Sequence, residues 1–131
     1  MKLSVRKPRT ARRAKPVTFA TVRQLALAMP GVEEGTSYGT PAFRVSGKFL
    51  GRLREDNETL VLKVGFETRD FLMEANPKTF FTTDHYRGYP SVLVRLATVR
   101  PDELGDVIED AWRFCASKRL VEAYDKGRRS E

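Results

Sequence analysis

The sequence predicts an α+β domain: an antiparallel sheet of about five strands with helices laid over it. Three observations carry this. Apolar residues recur at helical spacing towards both ends of the chain, the middle alternates with period two, and turn signals cut that middle into short segments. With 131 residues and 40% hydrophobic content, the chain suits one compact domain with a continuous core.

Residues 1–16 carry Lys2, Arg6, Lys7, Arg9, Arg12, Arg13 and Lys15, two prolines and no acid, the composition of a disordered basic arm. The domain is expected over residues 17–125, with a frayed end at 126–131. Thr18 is a helix N-cap, and Val17 with Val22 forms a hydrophobic staple around it. Phe19, Val22, Leu25, Ala26 and Met29 then make one buried stripe, which Pro30-Gly31 stops. Gly31–Thr40, with three glycines, the acid pair Glu33-Glu34 and Ser37-Tyr38, reads as a solvated loop. It matches no phosphate-cradling motif, because no Lys-Ser/Thr follows its glycines into a helix.

From Pro41 to Val64 the alternate positions Phe43 and Val45, then Phe49, Gly51 and Leu53, then Leu60, Leu62 and Val64 predict a three-stranded meander with those residues facing the core. Turns fall at Ser46-Gly47 and Asp56-Asn57. The opposite side carries Arg44, Arg52, Arg54 and Lys63 with Leu50 and Val61, joined by Arg95 from a later strand. Such a face suits a phosphate backbone or an acidic partner, or is an ordinary wet face whose long stems cover exposed Leu and Val. Glu67–Asn76 reads as a short helix with Phe71, Leu72 and Ala75 apolar, and Asn76-Pro77 ends it. Phe80–Thr83 is β-prone, Asp84–Pro90 is loop, and Ser91–Val99 is a strand burying Val92, Val94 and Leu96. Pro101 opens a last long helix whose stripe is Leu104, Val107, Ile108, Ala111, Trp112 and Cys115, and Ser117 re-caps the chain before Lys118–Tyr124.

The recognition chemistry concentrates in Asp84-His85-Tyr86-Arg87-Gly88-Tyr89-Pro90, which holds the single histidine. One cysteine and one histidine exclude an internal disulfide and a zinc site, and Cys115 on an apolar stripe reads as a buried, inert thiol. A reducing cytoplasm is the expected compartment. No apolar run approaches the roughly 20 residues of a membrane span, and the basic start is not followed by a signal-peptide core. The chain contains no nucleophile elbow and no zinc helix, and Asp84 and His85, as neighbours on extended chain, point apart. No enzyme activity, cofactor or metal is therefore expected.

The net charge of +7 is unevenly placed. Seven of the 24 basic residues lie in the arm, so beyond it 17 bases face 17 acids. The pull on a polyanion belongs to the arm and not to the domain.

At Met29-Pro30-Gly31-Val32-Glu33-Glu34, Pro41-Ala42-Phe43, Leu60-Val61-Leu62-Lys63 and Asp84–Pro90, followed by the Trp112-bearing helix, the chain resembles the MmcQ/YjbR family. The likeness runs from about Thr18 to Tyr124. It implies a CyaY-like α+β fold, two layers deep with helices on one face of the sheet, and brings the label of a DNA-binding protein with a double-wing arrangement. The family's His-aromatic pair falls on His85 and Tyr86, where many relatives carry Trp in place of Tyr86. Its lysine falls on Lys63 and its early glutamate on Glu34.

The favoured expectation is a non-enzymatic DNA-binding protein. Tyr86 and Tyr89 stack on bases, His85, Arg87, Lys63, Arg44 and Arg52 meet phosphates or base edges, and the arm residues Arg6, Lys7, Arg9, Arg12 and Arg13 add attraction. The alternative is a small-ligand or protein-interaction module. There the loops around Tyr38 and His85 close over an acidic or aromatic ligand.

Overall fold

The stripe from Leu104 to Cys115 is the longest regular apolar pattern in the chain, and the helix it makes lies across the sheet that organises the molecule. A computed structural model describes residues 17–129, so the basic stretch 1–16 lies outside the described residues. In order the elements are α1 (Phe19–Leu27), β1 (Val32–Ser37), β2 (Thr40–Val45), β3 (Lys48–Leu53), β4 (Thr59–Lys63), α2 (Phe66–Ala75), β5 (Phe80–Phe81), β6 (Ser91–Arg95), α3 (Pro101–Cys115) and α4 (Lys118–Arg129). The strands form one open antiparallel sheet ordered β1-β2-β3-β4-β6-β5. Among the described residues no helix is long and apolar enough to cross a membrane.

One face of the sheet and the helices share a single core. Phe43, Val45, Leu50, Leu53, Leu60, Leu62, Val92 and Val94 meet Val22 and Ala26 of α1 and the whole predicted stripe of α3. Val17 and Val22 are both buried at the start of α1, although the Thr18 side chain makes no capping bond. Trp112 is fully buried, and its indole N–H donates to the Pro30 carbonyl at 2.8 Å, fixing the α1–β1 corner against α3. Helix α4 folds back on α3 through Arg113, which donates to Asp125 at 2.8 and 3.1 Å and to Glu109 at 3.0 Å. Asp125, and secondarily Glu109, raise the Arg113 pKa. The helix runs to Arg129.

Four expectations need correction. The stretch read as a loop over Gly31–Thr40 is largely strand β1, which makes six strands where about five were expected. As an edge strand exposed along most of its length it carries polar residues, so apolar alternation is missing there. It joins β2 through a two-residue turn, Tyr38-Gly39, with φ of 54° and 78°. This is the positive-φ pair that suits a tight hairpin.

The alternation Phe49-Gly51-Leu53 also fails at its first member. Phe43 pairs with Gly51 and Arg44 with Phe49, so Leu50 is an extra residue on β3, a β-bulge. Leu50 therefore enters the core and Phe49 turns to the opposite face. On α2, Phe71 is 68% exposed while Arg69 is buried. The last strand is shorter than expected, Ser91–Arg95, followed by a turn.

Gly51 permits the close approach of β4. A Cβ there would stand 2.5 Å from the Val61 carbonyl oxygen and 2.8 Å from Leu62 Cδ2, closer than atoms pack. Gly51→Ala is expected to destabilise the fold by about 1–3 kcal/mol through overpacking, read as a lower urea midpoint. An unchanged midpoint would contradict this packing.

Candidate functional site

The face away from the helices is organised by register. One row runs Ala42, Arg52, Val61, Leu93, Phe81 across five strands. The next positions along the same face are the pairs Arg44–Phe49 and Lys63–Ser91. Ala42, Val61 and Leu93 are buried although they lie outside the main core cluster. A small second apolar layer thus underlies the charges.

Over this layer lies the segment Thr82–Pro90. Its turns close on themselves through Tyr86 N–H to Thr83 O (3.0 Å) and Tyr89 N–H to Tyr86 O (2.9 Å). The Pro90 carbonyl accepts from the N–H groups of Val64 and Gly65 at 3.0 and 2.9 Å. Arg69, only 8% exposed, reaches from α2 and donates Nη1 to the carbonyls of Arg87 (2.9 Å) and Tyr89 (3.1 Å). A buried guanidinium is a strong donor to such carbonyls and is costly to bury without them.

Between the segment and the β1–β2 turn is a cleft of about 520 Å³. Ser37 and Tyr38 line one wall, and His85, Tyr86, Tyr89 and Pro90 the other. The floor is Arg44, Phe49, Arg52, Val61 and Lys63, with Ser91 beside them. No carboxylate lines it. The imidazole of His85 meets the Tyr86 ring edge-on at 4.7 Å between centroids and lies 6.0 Å from the Tyr89 ring, and the two tyrosines stand 6.2 Å apart.

The three floor cations differ. Arg52, 8% exposed, donates to Thr40 Oγ1 (3.2 Å), the Leu53 carbonyl (3.3 Å) and the Tyr86 hydroxyl (3.3 Å), and lies 3.6 Å from Glu55. Its guanidinium also stacks 5.2 Å from the Tyr38 ring centroid. Arg52 therefore ties both walls to the floor. The side chains of Arg44 and Lys63 make no hydrogen bond or ion pair among the described residues. Glu33 stands opposite Arg44 in register without forming an ion pair with it.

Seven expected contact residues thus come together: Tyr38, Arg44, Arg52, Lys63, His85, Tyr86 and Tyr89. Two do not. Arg87 points outward and pairs with Asp84 at 2.6 Å, both largely exposed, so Asp84 is engaged there. Glu34 lies on the helix-facing side of β1, held by Arg23 at 2.8 and 2.9 Å, and that hydrogen bonding lowers its pKa. Arg54 lies with its guanidinium 5.9 Å from the Tyr86 ring, and Arg95 stacks on Phe81 at 3.9 Å near the far edge. The arm residues Arg6, Lys7, Arg9, Arg12 and Arg13 lie outside the described residues.

Sequence reasoning missed Phe49, hidden by the bulge, and Arg69, whose side chain holds the segment in place. Helical spacing of Phe66, Arg69 and Met73 was the available signal for the latter. Cys115 is buried, with its thiol against the carbonyls of Phe49 (3.4 Å) and Lys63 (3.6 Å), and burial pushes its pKa up. It belongs to the core beneath the cleft.

Arg69→Met removes both clamps on the segment and is expected to cost about 1.5–3 kcal/mol. Amide hydrogen exchange should accelerate over residues 85–90 more than in the sheet. Equal protection in variant and parent would contradict a clamping role.

The family model for YjbR matches residues 27–114, a span that contains every cleft residue and stops short of the basic arm. Uncharacterised proteins of Mycobacterium tuberculosis and Mycobacterium bovis are each 45% identical over 53 residues, 40% of this chain and 41% of theirs. The match thus spans about two fifths of the length of those relatives. The crystal structure of a Deinococcus radiodurans protein with a DUF419 domain has the same fold. It superposes with a TM-score of 0.64 at 21% identity, covering 79% of this chain and 81% of that one. With its central two thirds matched by the family model, the chain belongs to the YjbR family.

Proposed function

We propose that the chain is a non-enzymatic DNA-binding module in which the basic arm supplies attraction and the cleft supplies contact. The observation that carries this reading is the cleft lining: Arg44, Lys63 and Arg52 among the rings of Tyr38, Phe49, Tyr86 and Tyr89, with no carboxylate. Phosphates seek such cations and bases stack on such rings. The arm adds seven cations to a domain that has no net pull of its own.

A catalytic reading has less support. His85 makes ring contacts to Tyr86 and Tyr89, and the carboxylate beside it is paired with Arg87, so among the described residues no acid orients its imidazole. The buried thiol of Cys115 suits a reducing compartment such as the cytoplasm. The concave shape also favours a second reading, a small-ligand module, since about 520 Å³ lies within the range of ligand pockets.

Fluorescence anisotropy with labelled DNA at several salt concentrations tests the DNA reading. If all seven arm cations meet phosphates, the log–log slope of affinity against salt is about −6. Replacing Arg6, Lys7, Arg9, Arg12 and Arg13 by Gln in the full chain should flatten it by about 4 to 5. Equal affinity and slope in both proteins would overturn the role given to the arm.

A further inference from the structure

We infer that the cleft takes one nucleotide unit, a planar base together with its phosphate, unpaired from any duplex. This rests on the contact role proposed for the cleft and specifies what enters the site. A cleft of about 520 Å³ has room for a ring with one anionic group and not for a double helix. Its chemistry divides accordingly. Tyr86 and Tyr89, 6.2 Å apart and inclined by 65°, offer a ring face and a ring edge against which a base packs.

The anion has its own place. Arg52 is occupied by Thr40, Leu53 and Tyr86, whereas Arg44 and Lys63, on the same floor, have no hydrogen-bonding or ionic partner among the described residues. A phosphate supplies the negative charge that both lack. The polar edge of a base also finds a partner. Ser91 is only 6% exposed, yet its hydroxyl makes no hydrogen bond among the described residues and it lines the cleft. A hydroxyl open to the cleft in that position is a ready donor or acceptor for a base edge.

The unit has two sources with the same chemistry: an unpaired position within a strand, or a free mononucleotide. Titration of the full chain with 2-aminopurine ligands separates them. The probes are a fully paired duplex, the same duplex with one bulged 2-aminopurine, the duplex with an abasic residue at that bulge, and the 2-aminopurine mononucleotide. The bulged base should bind about ten-fold more tightly than its abasic counterpart, the factor that one base-on-aromatic stack corresponds to. Its fluorescence should be quenched on binding.

Tyr89→Ala, at an exposed ring outside the Arg52 network, should abolish the quenching and most of that preference. Lys63→Ala should weaken the bulged and abasic ligands alike. If paired, bulged and abasic duplexes bind equally and without quenching, DNA binding stands and the single-nucleotide inference falls. If the mononucleotide binds with quenching and no duplex binds, the inference stands and the DNA reading falls. No binding of any probe would overturn both.

Discussion

The buried guanidinium of Arg52 is the contact on which the outer face depends. It stands in the row Ala42, Arg52, Val61, Leu93, where every neighbour is apolar and burial of a charge is costly. Its hydrogen bonds to Thr40, Leu53 and Tyr86 offset that cost, and in forming them it joins the start of β2 and its own strand β3 to the Thr82–Pro90 segment. The cleft is the space enclosed when one cation must satisfy partners on three elements. Arg69 completes the arrangement from the other end of the segment by capping two of its carbonyls.

This explains why a charge-balanced domain presents a cationic concavity. The carboxylates are drawn elsewhere: Glu34 to Arg23 on the helix side, Asp84 to Arg87 on the outside of the segment, Glu109 and Asp125 to Arg113 between α3 and α4. What remains inside the cleft is Arg44 and Lys63, set over Phe49 and beneath the rings of Tyr86 and Tyr89. Net charge is a property of the whole chain, whereas binding responds to the local set of uncompensated groups. The rigid helix-covered face, anchored by Trp112 on the Pro30 carbonyl, keeps the floor in register.

Much of the fold was legible in the sequence because both periodicities are clean. The α3 stripe was read residue for residue, as were the turns at Ser46-Gly47 and Asp56-Asn57 and the loop carrying His85. What escaped reading has physical causes. Strand β1 is a mostly exposed edge with Glu33, Glu34, Gly35 and Thr36, so it carries no burial pattern. The bulge at Leu50 inverts the faces of β3 on one side of it, and no local residue preference announces an extra residue. Phe71 and Arg69 reversed the usual rule, since Arg69 is buried for its hydrogen bonds to the segment while Phe71 is left in water. Of the site, the residue types were readable. That Glu34 and Arg87 face away from the others follows from register and pairing, which only the fold supplies.

The central claim is that nucleic acid meets this protein on the outer face of the sheet. Backbone and side-chain NMR shift mapping of the labelled full-length chain with a short DNA tests it most directly. The account predicts changes at Tyr38, Arg44, Phe49, Lys63 and residues 85–91 together with the arm. Changes confined to residues 1–16, or falling on α1, α3 and α4, would contradict it.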